Sequence, residues 1–588
     1  MQKDIPFGPP ENRLKLTAYV RKYPREFLIQ ALGGILYNTV VVFGAIFLGK
    51  AIDAANLVLQ GQADLPYFYA NLFGFLGFTL LFQAARYFKR YYMREIVNRM
   101  KCDIRAGLLS AFFRMPLIAL NGEKVGDMMS RMIGDVEQVG QSVQTTITEL
   151  WDTVLLMLSY FVACMIYSPK ITLLSAIPIP FTVLLAQMIR RPLYTLSQKS
   201  RAAASNINVH LQHNVTGIAL LRLFGLEEKD RNLFSKLLDE QLKWNVLSTA
   251  LQNGMTPIYI LTATLGIALV VGMGGERVVN GSWSIGVFTA YLSMFTAMSV
   301  RTNVAARVMN TWHGAKASWD RICEKMGVEQ PDTAAPAETP PEDGCALIVN
   351  ALSFRYPFSG EDCLHDISFC AKPGELIGVT GPVGSGKSAL AAALSGLYPY
   401  GGEVTINGVD LSALGSRRQA TIAYMDAEHF VFSDDVAFNI SLGQENSNLE
   451  EALSLAELAP DIEGFPDGVH TRLMERGVRI SGGQRQRISL ARAWNSPASM
   501  LLLDDPFSAI DIAMERRIMH NIRERQGDRI ILLFSHRLST FPLADRVIVL
   551  EKGRVGQIGT HEELLSEPGV YRDIFAAQEF MRGDSHAE

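Results

Sequence analysis

The sequence predicts a two-part fold: an α-helical transmembrane bundle of six spans with long cytoplasmic extensions, followed by a soluble α/β domain. Apolar runs recur through residues 1–325, and each is near the roughly 20 residues that a helix needs to cross the hydrocarbon core of a bilayer. Further on, a strand pattern, a glycine-rich loop and a helix pattern follow one another, as in α/β domains that bind phosphate groups. We therefore predict a transmembrane domain over 1–325, a linker over 326–344 and an α/β domain over 345–588.

The composition excludes several classes of protein. Hydrophobic residues make up 48% of the 588 residues and charged residues only 19%, which is apolar for a soluble chain of this size. A net charge of −4 without a basic stripe argues against a nucleic-acid partner. The six cysteines lie far apart and have no C-x-x-C spacing, so we predict free thiols rather than disulfides or a zinc site. The first 24 residues lack the apolar core of a signal peptide.

Six apolar runs are candidate membrane spans. They cover about Phe27 to Leu48, Tyr67 to Ala85, Thr146 to Tyr167, Ile171 to Met188, Met255 to Met273 and Ile285 to Val304. Their number and length argue against buried helices of a large soluble protein. Ahead of them, apolar and basic residues alternate from Arg13 to Arg25, a pattern that indicates an interfacial helix lying on the bilayer.

Charge placement predicts the orientation of the bundle. Lysines and arginines cluster directly after the second and fourth spans, whereas the segments after the first, third and fifth spans carry few. By the positive-inside rule, both termini and both long connections, about 86–145 and 190–252, face the cytoplasm. These connections have helical periodicity, with breaks at Asn121-Gly122 and Thr216-Gly217 where each long hairpin should turn.

A few polar side chains interrupt the spans: Glu149, Asp152, Gln187, Arg301 and Asn303. An ionisable group at membrane depth normally faces a cavity or a partner. The alternative is that Glu149 and Asp152 lie near the headgroups and that Arg301 snorkels or forms a structural pair. The sequence does not decide between these interpretations.

The glycine-rich loop has the sequence of a phosphate-binding loop. It follows the apolar run Leu376–Thr380 and comprises Gly381, Pro382, Val383, Gly384, Ser385, Gly386, Lys387 and Ser388. Glycines let backbone N–H groups converge on phosphate oxygens, and Lys387 reaches toward the β- and γ-phosphates. Ser388 offers a hydroxyl to Mg²⁺. A second apolar run ends in Asp504, a carboxylate placed to hold Mg²⁺ directly or through water. We therefore predict a site for a nucleoside triphosphate.

A second candidate anion site lies between these two elements. The turn consists of Ile480, Ser481, Gly482, Gly483 and Gln484 and opens a basic helix. Because the domain already has a phosphate loop, a second phosphate-binding turn indicates a nucleotide held by another subunit.

With these motifs the chain resembles a half-transporter of the ABC exporter family over nearly its full length. The resemblance implies an ABC-type P-loop ATPase domain, ATP and Mg²⁺ as cofactors, and ATP-driven transport. It also implies that Tyr356 stacks on adenine, that His536 contacts the γ-phosphate, and that Asp511 belongs to the D-loop. The turns near Asn121 and Thr216-Gly217 would be coupling helices. Such halves work in pairs, with each ATP held between one phosphate loop and the signature turn of the other subunit, here Ser481 to Gln484.

Two positions depart from the family pattern. In the family, a catalytic glutamate follows the Walker B aspartate, which corresponds to Asp504 here. This chain has Asp505 at that position, and the aspartate side chain is shorter than a glutamate by one methylene, about 1.5 Å. The Q-loop glutamine, which contacts metal and water, is replaced by Ala427, with Asp426 and Glu428 as possible substitutes. Since positioning provides much of the catalysis of phosphoryl transfer, both changes predict slow hydrolysis.

An impaired site combined with an intact signature resembles the degenerate-site subunit of a bacterial heterodimeric multidrug-type ABC transporter. The prediction is a subunit of a prokaryotic inner-membrane exporter of hydrophobic or amphipathic compounds, lipids or peptides. A homodimer that uses Asp505 as a weaker base is the alternative assembly. An exporter-shaped importer of siderophores or nutrients, and an ATP-gated channel or regulatory membrane ATPase, are the alternative functions. The sequence identifies neither the substrate nor the partner subunit.

Overall fold

The computed structural model describes residues 8–123, 125–327, 344–356, 359–444, 448–473 and 480–584. Its contacts divide the chain into two compact units. The first, the helical unit, comprises Met1–Arg114 and Glu123–Val328, and the second, the α/β unit, comprises Met115–Gly122 and Glu329–Glu588. The predicted linker falls almost wholly outside the described residues.

The helical unit is built from a few very long helices. The α-helices up to residue 327 are α1 (Leu16–Arg21), α2 (Pro24–Leu59), α3 (Leu65–Arg114), α4 (Leu117–Asn121), α5 (Val125–Ser130), α6 (Val136–Leu150), α7 (Leu156–Tyr167), α8 (Pro169–Ala176), α9 (Pro178–Thr216), α10 (Ile218–Leu223), α11 (Glu227–Val279) and α12 (Ile285–Met326). Two π-helical turns, Arg131–Asp135 and Trp151–Leu155, join α5 to α6 and α6 to α7. The segment from Arg13 to Arg25 contains the helix α1, and its position at a bilayer surface stays a prediction.

In the part of the chain that the structure describes, four helical stretches are long and apolar enough to cross a membrane: Pro24–Leu59, Leu65–Arg114, Val125–Tyr167 and Glu227–Val279. They contain the first, second, third and fifth predicted spans. The sixth is represented by a shorter apolar stretch, Ile285–Ser299. The fourth is divided at Ile177 between α8 and α9, because Pro178, the first residue of α9, has no N–H with which to continue the hydrogen bonding of α8. Most side chains of its second half lie outside the described part, so the full count of six stays a prediction.

The two long connections are helical, as their periodicity predicts. Helix α3 continues to Arg114 and α9 to Thr216, well past the apolar runs. The short helices α4 and α10 lie at the two predicted turns, and the segment containing α4 is grouped with the α/β unit.

Small residues let the first two membrane helices approach closely. A Cβ atom at Gly33 of α2 would lie 3.2 Å from the carbonyl oxygen of Ala85 in α3, and a Cβ atom at Gly74 would lie 2.6 Å from the Phe47 ring. Association of helices in lipid depends on such van der Waals packing, because there is no hydrophobic drive between them. These glycines therefore set the α2–α3 distance.

The N-terminal segment is anchored to α3 through one buried carboxylate. Asp103 accepts hydrogen bonds from the backbone N–H of Gly8 at 3.0 Å, from Lys22 Nζ at 3.0 Å and from the Tyr23 hydroxyl at 2.6 Å. Three donors satisfy a carboxylate that is otherwise fully buried. This contact fixes α1 against the bundle.

A second buried carboxylate lies in the π-helical turn Trp151–Leu155. Asp152 forms an ion pair with Lys89 of α3, whose side chain is only 1% exposed. The Lys89 ammonium also lies 5.3 Å from the ring centre of Tyr37 in α2. Lys89 belongs to the basic cluster after the second span, but unlike an ordinary positive-inside residue it is buried. Among the other polar exceptions, the side chains of Gln187, Arg301 and Asn303 lie outside the described residues.

The α/β unit contains two sheets and the remaining helices. Its strands are β1 (Leu347–Phe354), β2 (Leu364–Ala371), β3 (Leu376–Thr380), β4 (Gly401–Ile406), β5 (Val409–Asp410), β6 (Ile422–Met425), β7 (Met500–Asp504), β8 (Ile530–Phe534), β9 (Arg546–Glu551) and β10 (Arg554–Gly559). Its helices are α13 (Lys387–Leu394), α14 (Arg418–Thr421), α15 (Val436–Ser441), α16 (Leu449–Leu455), α17 (Ala459–Glu463), α18 (Gly482–Asn495), α19 (Ile512–Arg525), α20 (His561–Ser566) and α21 (Val570–Asp584).

The larger sheet positions the candidate site. Its order is β10-β9-β3-β8-β7-β6, with parallel pairing from β9 to β6. Strands β3, β7 and β8 are buried along their whole length, which explains their continuous apolar sequences. Parallel neighbours end at the same edge of the sheet, so the loops after β3, β8, β7 and β6 lie side by side. In open α/β sheets this carboxyl edge is where ligands bind.

Candidate functional site

The loop after β3 has the tight geometry that its glycines permit. Gly381 has φ +145°, and a Cβ atom there would lie 2.2 Å from the carbonyl oxygen of Leu550. Gly386 has φ +105°, and a Cβ atom there would lie 2.7 Å from Leu364 Cδ2. Larger residues at either position would clash and would adopt a strained backbone. The loop then leads directly into α13, whose N-terminus carries unpaired N–H groups.

The Lys387 ammonium points back into this loop. It donates hydrogen bonds to the carbonyl oxygens of Gly381 at 2.7 Å and Pro382 at 3.0 Å. Burial lowers the pKa of Lys387, and the nearby carboxylates of Asp505 and Asp504 oppose that shift. The ammonium therefore donates to backbone oxygens in this structure, and phosphate oxygens could accept the same hydrogen bonds.

The Ser388 hydroxyl and the Asp504 carboxylate meet at the end of β7. Ser388 Oγ donates to Asp504 Oδ1 at 3.3 Å. Burial raises the pKa of Asp504 to about 6, although the Ser388 hydrogen bond acts in the opposite direction. Among the described residues, no basic side chain lies within ion-pair distance of this carboxylate. A buried acid beside a hydroxyl, both oxygen donors, fits a Mg²⁺ ion.

Asp505 is held by its backbone in the left-handed region, with φ +50°. Its N–H donates to the carbonyl oxygen of Phe534 at 2.8 Å, and its carbonyl accepts from Gln486 Nε2 at 2.8 Å. The Asp505 carboxylate lies 3.1 Å from His536 Nδ1, in the loop after β8. The structure thus brings two predicted residues, Asp505 and His536, into direct contact.

The loop after β6 contains Ala427, the residue predicted to replace the Q-loop glutamine. Asp426, Ala427 and Glu428 are all exposed. Asp426 Oδ1 accepts from the backbone N–H of His429 at 3.0 Å and so closes a turn. Between Asp426 and Glu428, the methyl group of Ala427 supplies no oxygen to a metal.

The predicted signature turn is ordered by its own side chains. Ser481 caps α18: its Oγ accepts from the N–H of Gln484 at 3.1 Å, and Gln484 Oε1 accepts from the N–H of Ser481 at 2.9 Å. This reciprocal pair is a capping box. A Cβ atom at Gly483 would lie 2.9 Å from the carbonyl oxygen of Ala509, so the turn packs closely on the loop after β7.

Two further predicted residues have separate local environments. The Tyr356 ring lies edge-on to Phe354 and Tyr398, with ring centres 5.0 Å and 6.4 Å away. Asp511 caps α19 by accepting from the N–H of Met514 at 2.9 Å. The backbone hydrogen bond to Met514 lowers the pKa of Asp511. Among the described residues, no hydrogen bond joins Tyr356, Asp511 or the signature turn to the phosphate loop.

Gln486, which belongs to no predicted site, joins the loop after β6 to the loop after β7. Its Nε2 lies 2.8 Å from the Asp505 carbonyl oxygen, 3.0 Å from Ser508 Oγ and 3.0 Å from His429 Nε2. Its Oε1 accepts from the N–H of Ala509 at 2.9 Å. Its amide is fully buried in α18, a placement that only the structure shows.

Comparisons with known proteins agree with this geometry. Residues 27–301 match the family model described as "ABC transporter transmembrane region", and residues 364–508 match the model described as "ABC transporter". The chain is 29% identical over 582 residues to the multidrug resistance-like ATP-binding protein MdlA of Escherichia coli, covering 96% of this chain and 97% of the relative.

Two other relatives are similar over almost the same length. The putative multidrug export ATP-binding/permease protein YgaD of Bacillus subtilis is 28% identical, covering 95% of this chain and 98% of the relative. The ATP-dependent lipid A-core flippase of Dechloromonas aromatica is 27% identical, covering 96% and 97%. The helical unit, the loops at the sheet edge and these full-length similarities lead to one conclusion. The chain belongs to the ABC transporters, as an exporter-type half-transporter with one transmembrane domain fused to one ATP-binding domain.

Proposed function

We propose that this chain is the degenerate-site subunit of a heterodimeric exporter driven by ATP. Its own phosphate loop binds Mg-ATP and hydrolyses it slowly. Its signature turn, Ser481 to Gln484, completes a competent site on a different subunit. The substrates are hydrophobic or amphipathic compounds, a class consistent with the names of the multidrug and lipid relatives. Both termini lie in the cytoplasm.

The fixed backbone of Asp505 carries this proposal. Hydrogen bonds to Phe534 and from Gln486 hold it on both sides. The backbone therefore does not advance to make up the missing methylene, about 1.5 Å. The carboxylate instead lies beside His536. A carboxylate that ends about 1.5 Å short of the usual glutamate position is a large displacement for a reaction in which positioning provides most of the catalysis.

The other site residues have complementary roles in this proposal. Gly381 to Gly386 direct backbone N–H groups to the phosphates, and Lys387 exchanges its carbonyl partners for phosphate oxygens. Ser388 and Asp504 hold Mg²⁺, which supplies charge neutralisation at the phosphates when it is bound. Tyr356 stacks on the adenine, His536 contacts the γ-phosphate, and Asp511 keeps the D-loop in place by capping α19.

ATPase measurements on the full-length chain in lipid nanodiscs test the proposal. The chain alone is expected to bind Mg-ATP but to turn it over slowly, whereas the chain co-purified with the product of a neighbouring gene hydrolyses it rapidly. The Lys387→Ala variant serves as the control for nucleotide binding, and it should no longer bind Mg-ATP. Rapid ATP hydrolysis by a homodimer of this chain would contradict the proposal that it functions in a heterodimer. Uptake into inside-out vesicles then tests the direction of transport.

The Mg²⁺-dependent part of ATP binding should depend on pH. The pKa of Asp504 is raised to about 6, so the carboxylate is charged above that pH and takes up a proton as the pH falls through it. Because that proton competes with Mg²⁺, we expect affinity for Mg-ATP to weaken between pH 7 and pH 5.5. Binding measured in EDTA corrects for titration of the nucleotide. An Asp504→Asn variant should lack the Asp504 contribution, and the same pH dependence in that variant would contradict the assignment.

A further inference from the structure

A cavity lies along α3 where its apolar run ends. Its volume is about 790 Å³, and it is widely open to its surroundings rather than enclosed. The described residues that line it all belong to α3, from Gln83 to Asn98 and Arg99. They recur every three or four positions and so form one face of the helix.

This face is strongly cationic. Arg86, Arg90, Arg94 and Arg99 line the cavity, against one acid, Glu95. Arg99 Nη2 donates to that Glu95 at 2.8 Å, so its charge is compensated. A protein with a net charge of −4 therefore concentrates unbalanced positive charge at one place in its membrane unit.

Two of these arginines are available to a ligand. Arg86 lies 6.0 Å from the centre of the Tyr37 ring and is half-buried. Arg90 and Arg94, in contrast, are exposed, and neither forms an ion pair or hydrogen bond with any described residue. Guanidinium groups favour phosphate and carboxylate oxygens, to which they donate paired hydrogen bonds. The two free arginines lie one helical turn apart.

Aromatic rings supply an amphipathic boundary to the same face. Tyr87 and Tyr91 stack with ring centres 6.3 Å apart, and they are 65% and 54% exposed. Exposed tyrosines are typical of the membrane–water interface, where one end of the ring is apolar and the other is wet. The apolar run of the second span ends at Ala85, so this face begins at the headgroup level and continues toward the cytoplasm for about 20 Å.

We propose that this face binds the anionic headgroup of an amphiphile that enters from the cytoplasmic leaflet. Arg90 and Arg94 hold the phosphate or carboxylate, while Tyr87 and Tyr91 contact the glycerol or acyl region next to it. The inference deepens the proposed function and rests on it, because it assigns a substrate class to the exporter: anionic amphiphiles rather than cationic ones.

Binding of a defined probe tests this site without nucleotide. The full-length chain in phosphatidylcholine nanodiscs is titrated with dioctanoyl phosphatidic acid, with dioctanoyl phosphatidylcholine, and with inorganic phosphate. We expect phosphatidic acid to bind on the order of tenfold more tightly than either other probe. Equal binding of the two lipids would overturn the proposal, as would inorganic phosphate binding as tightly as phosphatidic acid.

Matched variants localise the effect. R90Q/R94Q is expected to weaken phosphatidic acid binding on the order of tenfold, whereas R90K/R94K, which keeps both charges but loses the paired donors, should weaken it by a smaller factor. R201Q/R231Q removes the same charge from exposed cytoplasmic positions outside the cavity and should bind like the wild type. Equal losses in R90Q/R94Q and R201Q/R231Q would reduce the effect to bulk electrostatics and overturn the site.

Failure of the headgroup site and failure of the proposed function would give different results. Basal ATPase activity and Mg-ATP binding should be unchanged in all three variants, because none of the substituted residues lies in the α/β unit. Absence of ATP-driven transport with intact lipid binding would contradict the proposed function alone. Loss of headgroup selectivity in a heterodimer that still transports would contradict the site alone.

Discussion

Asp505→Glu is expected to raise ATP turnover at this chain's own phosphate loop by about tenfold or more. The added methylene extends the carboxylate by about 1.5 Å from a backbone that Phe534 and Gln486 hold in place. The longer side chain reaches the attacking water while its backbone stays fixed. Turnover is measured as phosphate release by the full-length chain in nanodiscs, at saturating Mg-ATP.

Two controls make this result specific. Asp528→Glu lengthens an exposed carboxylate in the same unit and should leave turnover unchanged. Asp505→Asn keeps the size of the side chain, removes its charge and should lower any residual hydrolysis. If the wild type and Asp505→Glu released phosphate at the same high rate, Asp505 would already be an adequate base and the degenerate site would be refuted.

Asp152→Ala is expected to lower the free energy of unfolding by about 3–5 kcal/mol, because it leaves the buried Lys89 ammonium without its counter-charge. Lys89 is only 1% exposed, and Asp152 is its ion-pair partner across two membrane helices. The loss is measured as a shift in the midpoint of SDS-induced unfolding in mixed micelles.

A double substitution separates the effect of the Lys89 and Asp152 charges from the effect of side-chain packing. Lys89→Met combined with Asp152→Leu removes both charges and should recover most of the lost stability, since apolar side chains of similar size replace a buried pair at little cost. Glu324→Ala serves as the exposed control: Lys325 keeps its Glu123 contact at 2.7 Å, so we expect a change below about 1 kcal/mol. Equal losses in the single and double variants would show that packing, not charge, is responsible.

The predicted α/β elements near the site agree with the structure. The apolar run Leu376–Thr380 is β3, the run from Met500 to Asp504 is β7, and the glycine-rich loop leads into α13. These segments are predictable because a buried parallel strand requires apolar residues on both faces, and a tight phosphate loop requires glycine at positive φ. The long helical extensions beyond the second and fourth spans are likewise visible as uninterrupted periodicity.

Partners that are distant along the chain were not predictable. Lys89 looks like an ordinary positive-inside residue until α3 is packed against the π-helical turn that carries Asp152. Gln486 looks like one more polar residue in a basic helix until the structure shows that the loops after β6 and β7 meet at its amide. The break at Ile177 is different in kind, because it follows from a local residue, Pro178, which begins α9.

By itself, the sequence determined that this protein crosses a membrane and carries a phosphate-binding loop, since each is a property of neighbouring residues; the aspartate at position 505 stands out only through the resemblance to the family. The tertiary structure alone decided that Asp505 is fixed from both sides and that Lys89 is buried with Asp152. These depend on contacts between residues far apart in the chain, and local pattern does not encode which distant side chain will satisfy a buried charge.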